Sequence, residues 1–102
     1  MDKNEIISKV KEFSGLVKDF ISPVEIVLYG SYARGNPHED SDIDVAVVVD
    51  RFDGDTLKAM SYLFQLRMNI DVRIEPILIE REYNRGGFLE SIMEYGNVIY
   101  QN

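Results

Sequence analysis

Two short apolar runs, each next to a distinctive polar motif, constrain the fold of this chain most. The first, residues 26–28, ends near the pair Gly30-Ser31, and the second, residues 45–49, follows Asp42-Ile43-Asp44. Runs of this length rich in β-branched residues predict buried strands. Alternate residues of a strand point to the same side, so Asp42 and Asp44 should project from one face of a strand over 42–49. Both carboxylates could then reach one metal ion.

The Gly30-Ser31 pair lies where the strand over 24–29 should enter a short helix over 31–34, which Gly35 closes. Backbone N–H groups at such an entry are the usual place to hold a phosphate. A divalent metal beside a phosphate site is the minimum equipment for phosphoryl or nucleotidyl transfer. In the simpler alternative, Gly30 only permits the turn and Ser31 only caps the helix.

The rest of the chain predicts a small α/β domain. The helix over 56–68, capped by Asp55 or Thr56, is long enough to let the strands before and after it run parallel. We therefore expect a single domain over 1–102, with a small mixed β-sheet and helices packed mainly on one side. The other predicted elements are a helix over 2–20 ended by Ser22-Pro23, a strand over 70–79, a helix over 88–95 and a short strand over 98–100.

Pro76 interrupts the strand over 70–79 and predicts an edge strand or a bulge there.

Several apolar positions are predicted to lie in the core. On the helix over 56–68 the expected inner face is Leu57, Met60, Leu63, Phe64 and Met68. Near the C-terminus, the residues Phe88, Ile92, Tyr95, Ile99 and Tyr100 could be core or interface, and we expect most of them to be core.

Asp71 is the candidate for a third carboxylate. It lies between Ile70 and Val72, where a buried charge needs a specific reason. On a third strand beside the second it could join Asp42 and Asp44, and three clustered carboxylates require a cation to offset their repulsion. Oxygen ligands suit Mg²⁺ or Mn²⁺.

Two alternatives for the third carboxylate stay open. Asp71 could instead form an ion pair with Arg73 or a neighbouring lysine. Glu75 has the same strand parity as Asp71 and could replace it, although its position before Pro76 fits less well.

The other polar residues near the motif have simpler interpretations. Arg34 could contact phosphate or form a surface ion pair with Glu39 or Asp40, and His38 is expected to be a bystander. Tyr29 and Tyr32 are predicted to be packing residues.

Composition excludes several classes of protein. The formal net charge of −7 argues against a surface that binds nucleic acid directly through its phosphates. The absence of cysteine excludes disulfides and thiolate zinc sites. No apolar run approaches the roughly 20 residues that span a bilayer, and the polar N-terminus does not read as a secretory signal. We therefore expect a cytoplasmic protein without a membrane partner.

Gly30-Ser31, ten intervening residues and Asp42-Ile43-Asp44 resemble the motif of the DNA polymerase β nucleotidyltransferase superfamily. The sequence pattern GSYARG…SDIDVAVVV is most similar to the stand-alone minimal nucleotidyltransferases of this superfamily. The resemblance covers about residues 5 to 100. It implies the polymerase β-type nucleotidyltransferase fold. It also implies transfer of a nucleoside monophosphate from an NTP to a hydroxyl.

The resemblance also implies roles for the candidate residues. Asp42 and Asp44 would hold the metal that binds the triphosphate, and Asp42, Asp44 and Asp71 together could hold a second Mg²⁺. Asp71 would activate the acceptor hydroxyl as a base or a metal ligand. Gly30 and Ser31 would hold the β- and γ-phosphates, with Arg34 as a further nucleotide-binding candidate.

Minimal members of this family are typically paired with a small helical HEPN protein, often a ribonuclease toxin. The resemblance therefore implies an antitoxin that transfers AMP from ATP to a tyrosine of that toxin, in a hetero-oligomer with it. One alternative is a non-catalytic antitoxin that neutralises its partner by binding. A further one is an enzyme that modifies a small molecule such as an aminoglycoside.

Overall fold

The computed structural model describes residues 2–37, 41–83 and 86–102. Helices and strands alternate along the chain, as the sequence predicts. The elements are α1 (Lys3–Val17), β1 (Glu25–Tyr29), α2 (Ser31–Arg34), β2 (Ile43–Val49), α3 (Thr56–Leu66), β3 (Ile74–Glu80), α4 (Phe88–Tyr95) and β4 (Asn97–Gln101), with 3₁₀ turns at Arg67–Asn69 and Arg81–Tyr83.

The four strands form one mixed sheet in the order β3-β2-β1-β4. β1 is antiparallel to β2 and to β4, whereas β2 and β3 are parallel and α3 forms the connection between them. The predicted mixed sheet and its parallel crossover are therefore confirmed.

The two faces of the sheet are covered unequally. α1 and α3 pack on one face, which we call the two-helix face, and among the described residues α4 is the helix that packs on the other, the α4 face. This arrangement confirms that the helices lie mainly on one side. Core residues of the two-helix face include Phe13, Leu28, Val45, Val47 and Leu63; those of the α4 face are Val27, Ala46, Val48, Ile79 and Ile92.

The helices of the two-helix face begin at side-chain caps. Asp2 accepts a hydrogen bond from the N–H of Glu5 (2.8 Å), and Asp55 rather than Thr56 caps α3. α1 ends at Val17, earlier than predicted, and a 3₁₀ turn follows α3 after Leu66.

The predicted inner face of α3 is partly wrong. Leu57 is 80% exposed and Met68 is also exposed. Leu63 is buried and Met60 packs partly against the core, as predicted, and Ala59 and Leu66 complete the inner face. Leu57 lies in the first turn of α3 and Met68 in the 3₁₀ turn, so neither reaches the core.

β3 begins four residues later than the strand predicted over 70–79. A turn precedes it, in which the Asp71 carboxylate accepts from the N–H of Arg73 (2.9 Å) and the Asp71 carbonyl from the N–H of Ile74 (3.1 Å). β3 is an edge strand, as Pro76 predicts, and it continues through this residue without interruption.

The C-terminal apolar residues divide between core and surface. Ile92 is buried, Ile99 and Tyr100 pack partly against the core, and Phe88 and Tyr95 are exposed. Within the described ranges, no helix has both the length and the apolarity needed to cross a bilayer.

Candidate active site

Strand register brings a tyrosine and two carboxylates into one row across the sheet. Tyr29 of β1 is opposite Asp44 of β2, and Asp44 is paired with Glu75 of β3. Residues paired across neighbouring strands point to the same side of a sheet. In β2, Ala46 and Val48 belong to the core of the α4 face, so Asp44 points to that face too. The row therefore lies on the more thinly covered side of the sheet.

Asp44 is the electrostatic centre of this row. Its partial burial, followed by the negative charges of Asp42 and Glu75, raises its pKa from 3.8 to about 6. Burial, with Asp44 and Glu75 next, likewise raises the pKa of Tyr29 to about 12. Negative charge is thus disfavoured here, and a bound cation would relieve the repulsion between these carboxylates.

Gly30 places the turn that begins α2 directly against Asp44. Its backbone has a φ of +77°, and a Cβ atom at this position would lie 2.1 Å from Asp44 Oδ2. Only glycine combines that conformation with so close an approach. The carbonyl of Gly30 accepts from the N–H of Arg34 (3.0 Å), which forms the single turn of α2, and Gly35 ends it. The first N–H groups of this turn have no acceptor within the helix.

Asp71 does not join this row. Its side chain is only 9% exposed and forms ion pairs with Lys9 Nζ (2.8 Å) and Arg73 Nη2 (2.9 Å). Hydrogen bonds from Arg73, and then from Lys9, hold the pKa of Asp71 far below its usual range despite its burial. Lys9 belongs to α1, so these bonds tie Asp71 to the helix layer of the two-helix face.

The expectation that Asp71 shares a face with Asp42 and Asp44 is therefore wrong, and the ion-pair alternative with Arg73 and a lysine is confirmed. The physical reason is the turn at Asp71–Arg73, because strand parity cannot be counted through a turn. Register places the open alternative, Glu75, beside Asp44 instead. Asp71 supports the site indirectly, since the carbonyl of neighbouring Arg73 accepts from the N–H of Ile43 (2.9 Å), between the two aspartates.

The carboxylate of Glu75 has an ion-pair partner, Arg67. Its Oε1 lies 3.3 Å from Arg67 Nη1, which also donates to the carbonyl of Ile74 at 3.0 Å. The side chain of Glu75 is 42% exposed, so solvent reaches it and the pairing is loose. Glu75 can therefore exchange its contact with Arg67 for a contact with a ligand.

The acidic residues of the row fit a magnesium ion chemically. Among residues 2–37, 41–83 and 86–102, no three acidic or histidine side chains already converge into a metal cluster. Mg²⁺ does not need one, since it keeps several waters and usually takes one or two carboxylates together with phosphate oxygens. Asp44 is half-buried against the turn at Gly30, and Asp42 is exposed and close enough to Asp44 for its charge to raise the pKa of Asp44.

Arg34 is the last residue of α2. Its guanidinium group is 5.3 Å from the ring centre of Tyr95 on α4. The alternative partners Glu39 and Asp40, like His38, lie outside the described residues. Of the two tyrosines expected to pack, Tyr32 is buried in the core, whereas Tyr29 is only half-buried and belongs to the row.

The sequence did not predict that aromatic residues of α4 line a cleft together with Gly30 and Arg34. Phe88 and Tyr95 are spaced i, i+7 on one helix, with Ser91 and Ile92 between them at i+3 and i+4, which places all four on one face. The spacing of these residues is visible in the sequence, but the same spacing is typical of a helix face that packs in the core.

Comparison with known proteins agrees with this geometry. A family model described as "Nucleotidyltransferase domain" matches residues 5–99. The chain is 32% identical over 100 residues to MJ0141 of Methanocaldococcus jannaschii, whose name gives it as an inferred protein adenylyltransferase. The alignment covers 90% of this chain and 96% of that protein.

Solved structures with the same fold include an inferred nucleotidyltransferase from Sulfolobus solfataricus. It matches with a TM-score of 0.72 at 18% identity, over 98% of this chain and 84% of that one. A toxin-antitoxin structure with AMP-PNP matches with a TM-score of 0.63 at 24% identity, over 100% and 75% of the two chains. At these identities the likeness concerns the fold.

Proposed function

The chain belongs to the nucleotidyltransferase family, and we propose that it transfers AMP from ATP to a tyrosine hydroxyl of a HEPN-type toxin, for which it is the cytoplasmic antitoxin. The relative MJ0141 is named for protein adenylyltransferase activity, and the toxin-antitoxin structure of the same fold was solved with AMP-PNP, an adenine nucleotide. Both support a nucleotide substrate and a protein acceptor.

One observation carries the proposal: the turn at Gly30 packs directly against the carboxylate of Asp44. Nucleotidyl transfer needs the leaving phosphates and a group of carboxylates side by side, because a divalent cation held by the carboxylates would offset the negative charge that develops on the leaving pyrophosphate. A surface that only bound a partner would not need a glycine pressed against an acidic side chain whose pKa is raised.

The residues have distinct roles in this reaction. The first N–H groups of α2, with the hydroxyl of Ser31, bind the β- and γ-phosphates, and Arg34 lies close enough to add positive charge. Asp42 and Asp44 would hold Mg²⁺, for which Mn²⁺ could substitute. Bound there, the metal would supply Lewis-acid stabilisation of the phosphate charge, and a second ion could bind between Asp44 and Glu75.

The acceptor oxygen attacks the α-phosphorus of ATP and forms the new phosphorus–oxygen bond. The bond from the α-phosphorus to the bridging oxygen breaks, and pyrophosphate leaves with that electron pair. Glu75, which is partly exposed beside Asp44, accepts the proton of the attacking hydroxyl. This assigns to Glu75 the role that the family resemblance suggests for Asp71.

The intact mass of the candidate toxin, taken as the product of the neighbouring gene, tests the proposal. Incubation with the purified chain, ATP and Mg²⁺ should add one or more AMP units. Asp44→Asn should abolish the addition. Asp53→Asn is the matched control, because Asp53 is an exposed acidic residue paired only with exposed Arg51.

An unchanged mass with every NTP would refute the proposal. If the unmodified toxin still formed a stable, inactive complex, the antitoxin would act by binding alone. If the isolated chain modified an aminoglycoside but not the toxin, the acceptor would be a small molecule.

A further inference from the structure

A cleft opens between α4 and the end of β1, next to the Gly30 turn. Its volume is about 330 Å³, within the range of roughly 300–1,000 Å³ that is typical of small-molecule sites. α4 contributes one complete helical face to it. The cleft is lined by Tyr29, Gly30, Arg34, Phe88, Ser91, Ile92 and Tyr95.

Packing of α4 onto the sheet does not account for the aromatic residues of this cleft. Ile92 is the buried residue that anchors α4, whereas Phe88 is 45% and Tyr95 is 55% exposed. The ring of Phe88 meets that of Tyr29 edge to face, with centroids 6.4 Å apart. Large aromatic surface thus remains open to a ligand.

The cleft and the phosphate-binding turn share Gly30 as a wall. A nucleotide whose phosphates lie at Gly30-Ser31 can therefore extend its nucleoside into the cleft without leaving the surface of the protein. Arg34, which lies over Tyr95, supplies a cation at the boundary between the two parts. The aromatic wall suits the base and the cationic boundary suits the phosphates.

We propose that the cleft between α4 and β1 binds the nucleoside part of the substrate nucleotide, with the base stacked on Phe88. The proposal rests on the proposed function only in requiring a nucleoside triphosphate. Stacking tolerates any base, because every base has a π face. Apart from Arg34, the polar side chains of the cleft are the hydroxyls of Tyr29, Ser91 and Tyr95, each of which can donate to or accept from either purine. ATP and GTP should therefore bind with similar affinity and CTP more weakly, since its single ring stacks over a smaller area.

Calorimetric titration with two probes, ATP and inorganic tripolyphosphate, both with Mg²⁺, tests this subsite. Phe88→Ala should weaken ATP binding roughly 5- to 150-fold, the value of one base–aromatic stack. Tripolyphosphate has no base, so its binding should not change. Phe88→Leu should weaken ATP binding as well, because it keeps apolar volume but removes the π face.

Met93→Ala is the matched control on the same helix, because Met93 is exposed and does not line the cleft. It should bind both probes as the wild type does. Equal loss of ATP and tripolyphosphate in Phe88→Leu would overturn the proposal, as would unchanged ATP binding in both Phe88 variants. If these variants weakened only the complex with the toxin, the cleft would be a partner surface instead.

This experiment separates the subsite from the proposed function. Base-dependent binding at Phe88 without any transfer to the toxin would support the subsite and refute the transfer. Transfer that persists with unchanged ATP affinity in both Phe88 variants would support the transfer and refute the subsite.

Discussion

Replacing Gly30 by alanine tests the contact on which the active site depends. The Cβ atom added by Gly30→Ala would lie 2.1 Å from Asp44 Oδ2 and 3.0 Å from its Cγ, so the carboxylate must move. Gly35 offers a matched comparison at the other end of α2. It also has a positive φ, +81°, but a Cβ atom there would meet nothing within 4 Å.

The expected costs follow from the backbone and from this overlap. At Gly30, φ +77° with ψ −152° is a conformation reserved essentially for glycine, which costs alanine about 1–3 kcal/mol. Forced displacement of a packed side chain adds about 1–3 kcal/mol. Alanine also lowers the conformational entropy of the unfolded chain, which offsets about 0.4–1 kcal/mol of this destabilisation. Gly30→Ala should therefore destabilise the protein by roughly 1–6 kcal/mol.

At Gly35 the left-handed conformation costs alanine about 1–2 kcal/mol, and the same entropy offset applies. Gly35→Ala should thus lose roughly 1 kcal/mol and keep transfer activity, whereas Gly30→Ala should lose transfer even where it remains folded. Urea unfolding gives both free energies, and NMR of the Asp44 carboxyl carbon reports its displacement. A Gly30→Ala protein as stable as Gly35→Ala, with the pKa of Asp44 still about 6, would refute the reasoning.

Three further predictions concern the carboxylates. The pKa of Asp44 is raised in the folded state, so without metal the protein should lose stability as pH rises from about 4 to about 6. Asp44→Asn should remove this loss, and Mg²⁺ should raise Tm above pH 6 in the wild type only. The pKa of Asp71 is lowered, so its stabilisation should be present above about pH 4 and lost below it. At pH 7, Asp71→Asn should cost about 1–3 kcal/mol in urea unfolding, against under about 0.5 kcal/mol for exposed Asp53→Asn; equal costs would contradict the ion-pair assignment. Glu75→Gln should lower the pKa of Asp44 in a carboxyl NMR titration and Asp71→Asn should not, and the reverse result would return Asp71 to the row.

Much of the fold could be predicted because its signals are local. The apolar runs, the caps and the glycines at 30 and 35 determine their own elements, so β1, α2, β2 and α4 lie where the sequence predicts them. The crossover could also be predicted, since a helix between two strands strongly favours a parallel pair.

The third carboxylate could not be predicted, because its position depends on where β3 begins. Asp71 and Glu75 share a parity only if the chain is extended between them. Three favourable contacts, with Lys9, Arg73 and the N–H of Arg73, stabilise a turn at Asp71 instead. Arg73 is close in sequence, but Lys9 is 62 residues away, so the residues around Asp71 do not by themselves predict a turn rather than an extended strand.

The exposure of Phe88 and Tyr95 could not be predicted from the sequence for a related reason. An i, i+7 pair of aromatic residues predicts an apolar helix face, but not whether another element covers it. That depends on the sheet, whose α4 face receives only one helix of eight residues.

The row of Tyr29, Asp44 and Glu75 has a consequence for how the protein folds. Tyr29 and Asp44 come together when a local antiparallel pair forms, whereas Glu75 arrives only after α3 has carried the chain across to a parallel edge strand. Long-range parallel pairing pays its loop-closure entropy before its contacts form, so it should be the slower step. A chain caught before that step would already carry Asp42 and Asp44 without their third carboxylate. Completion of the acidic row therefore reports the formation of the β2–β3 pair during folding.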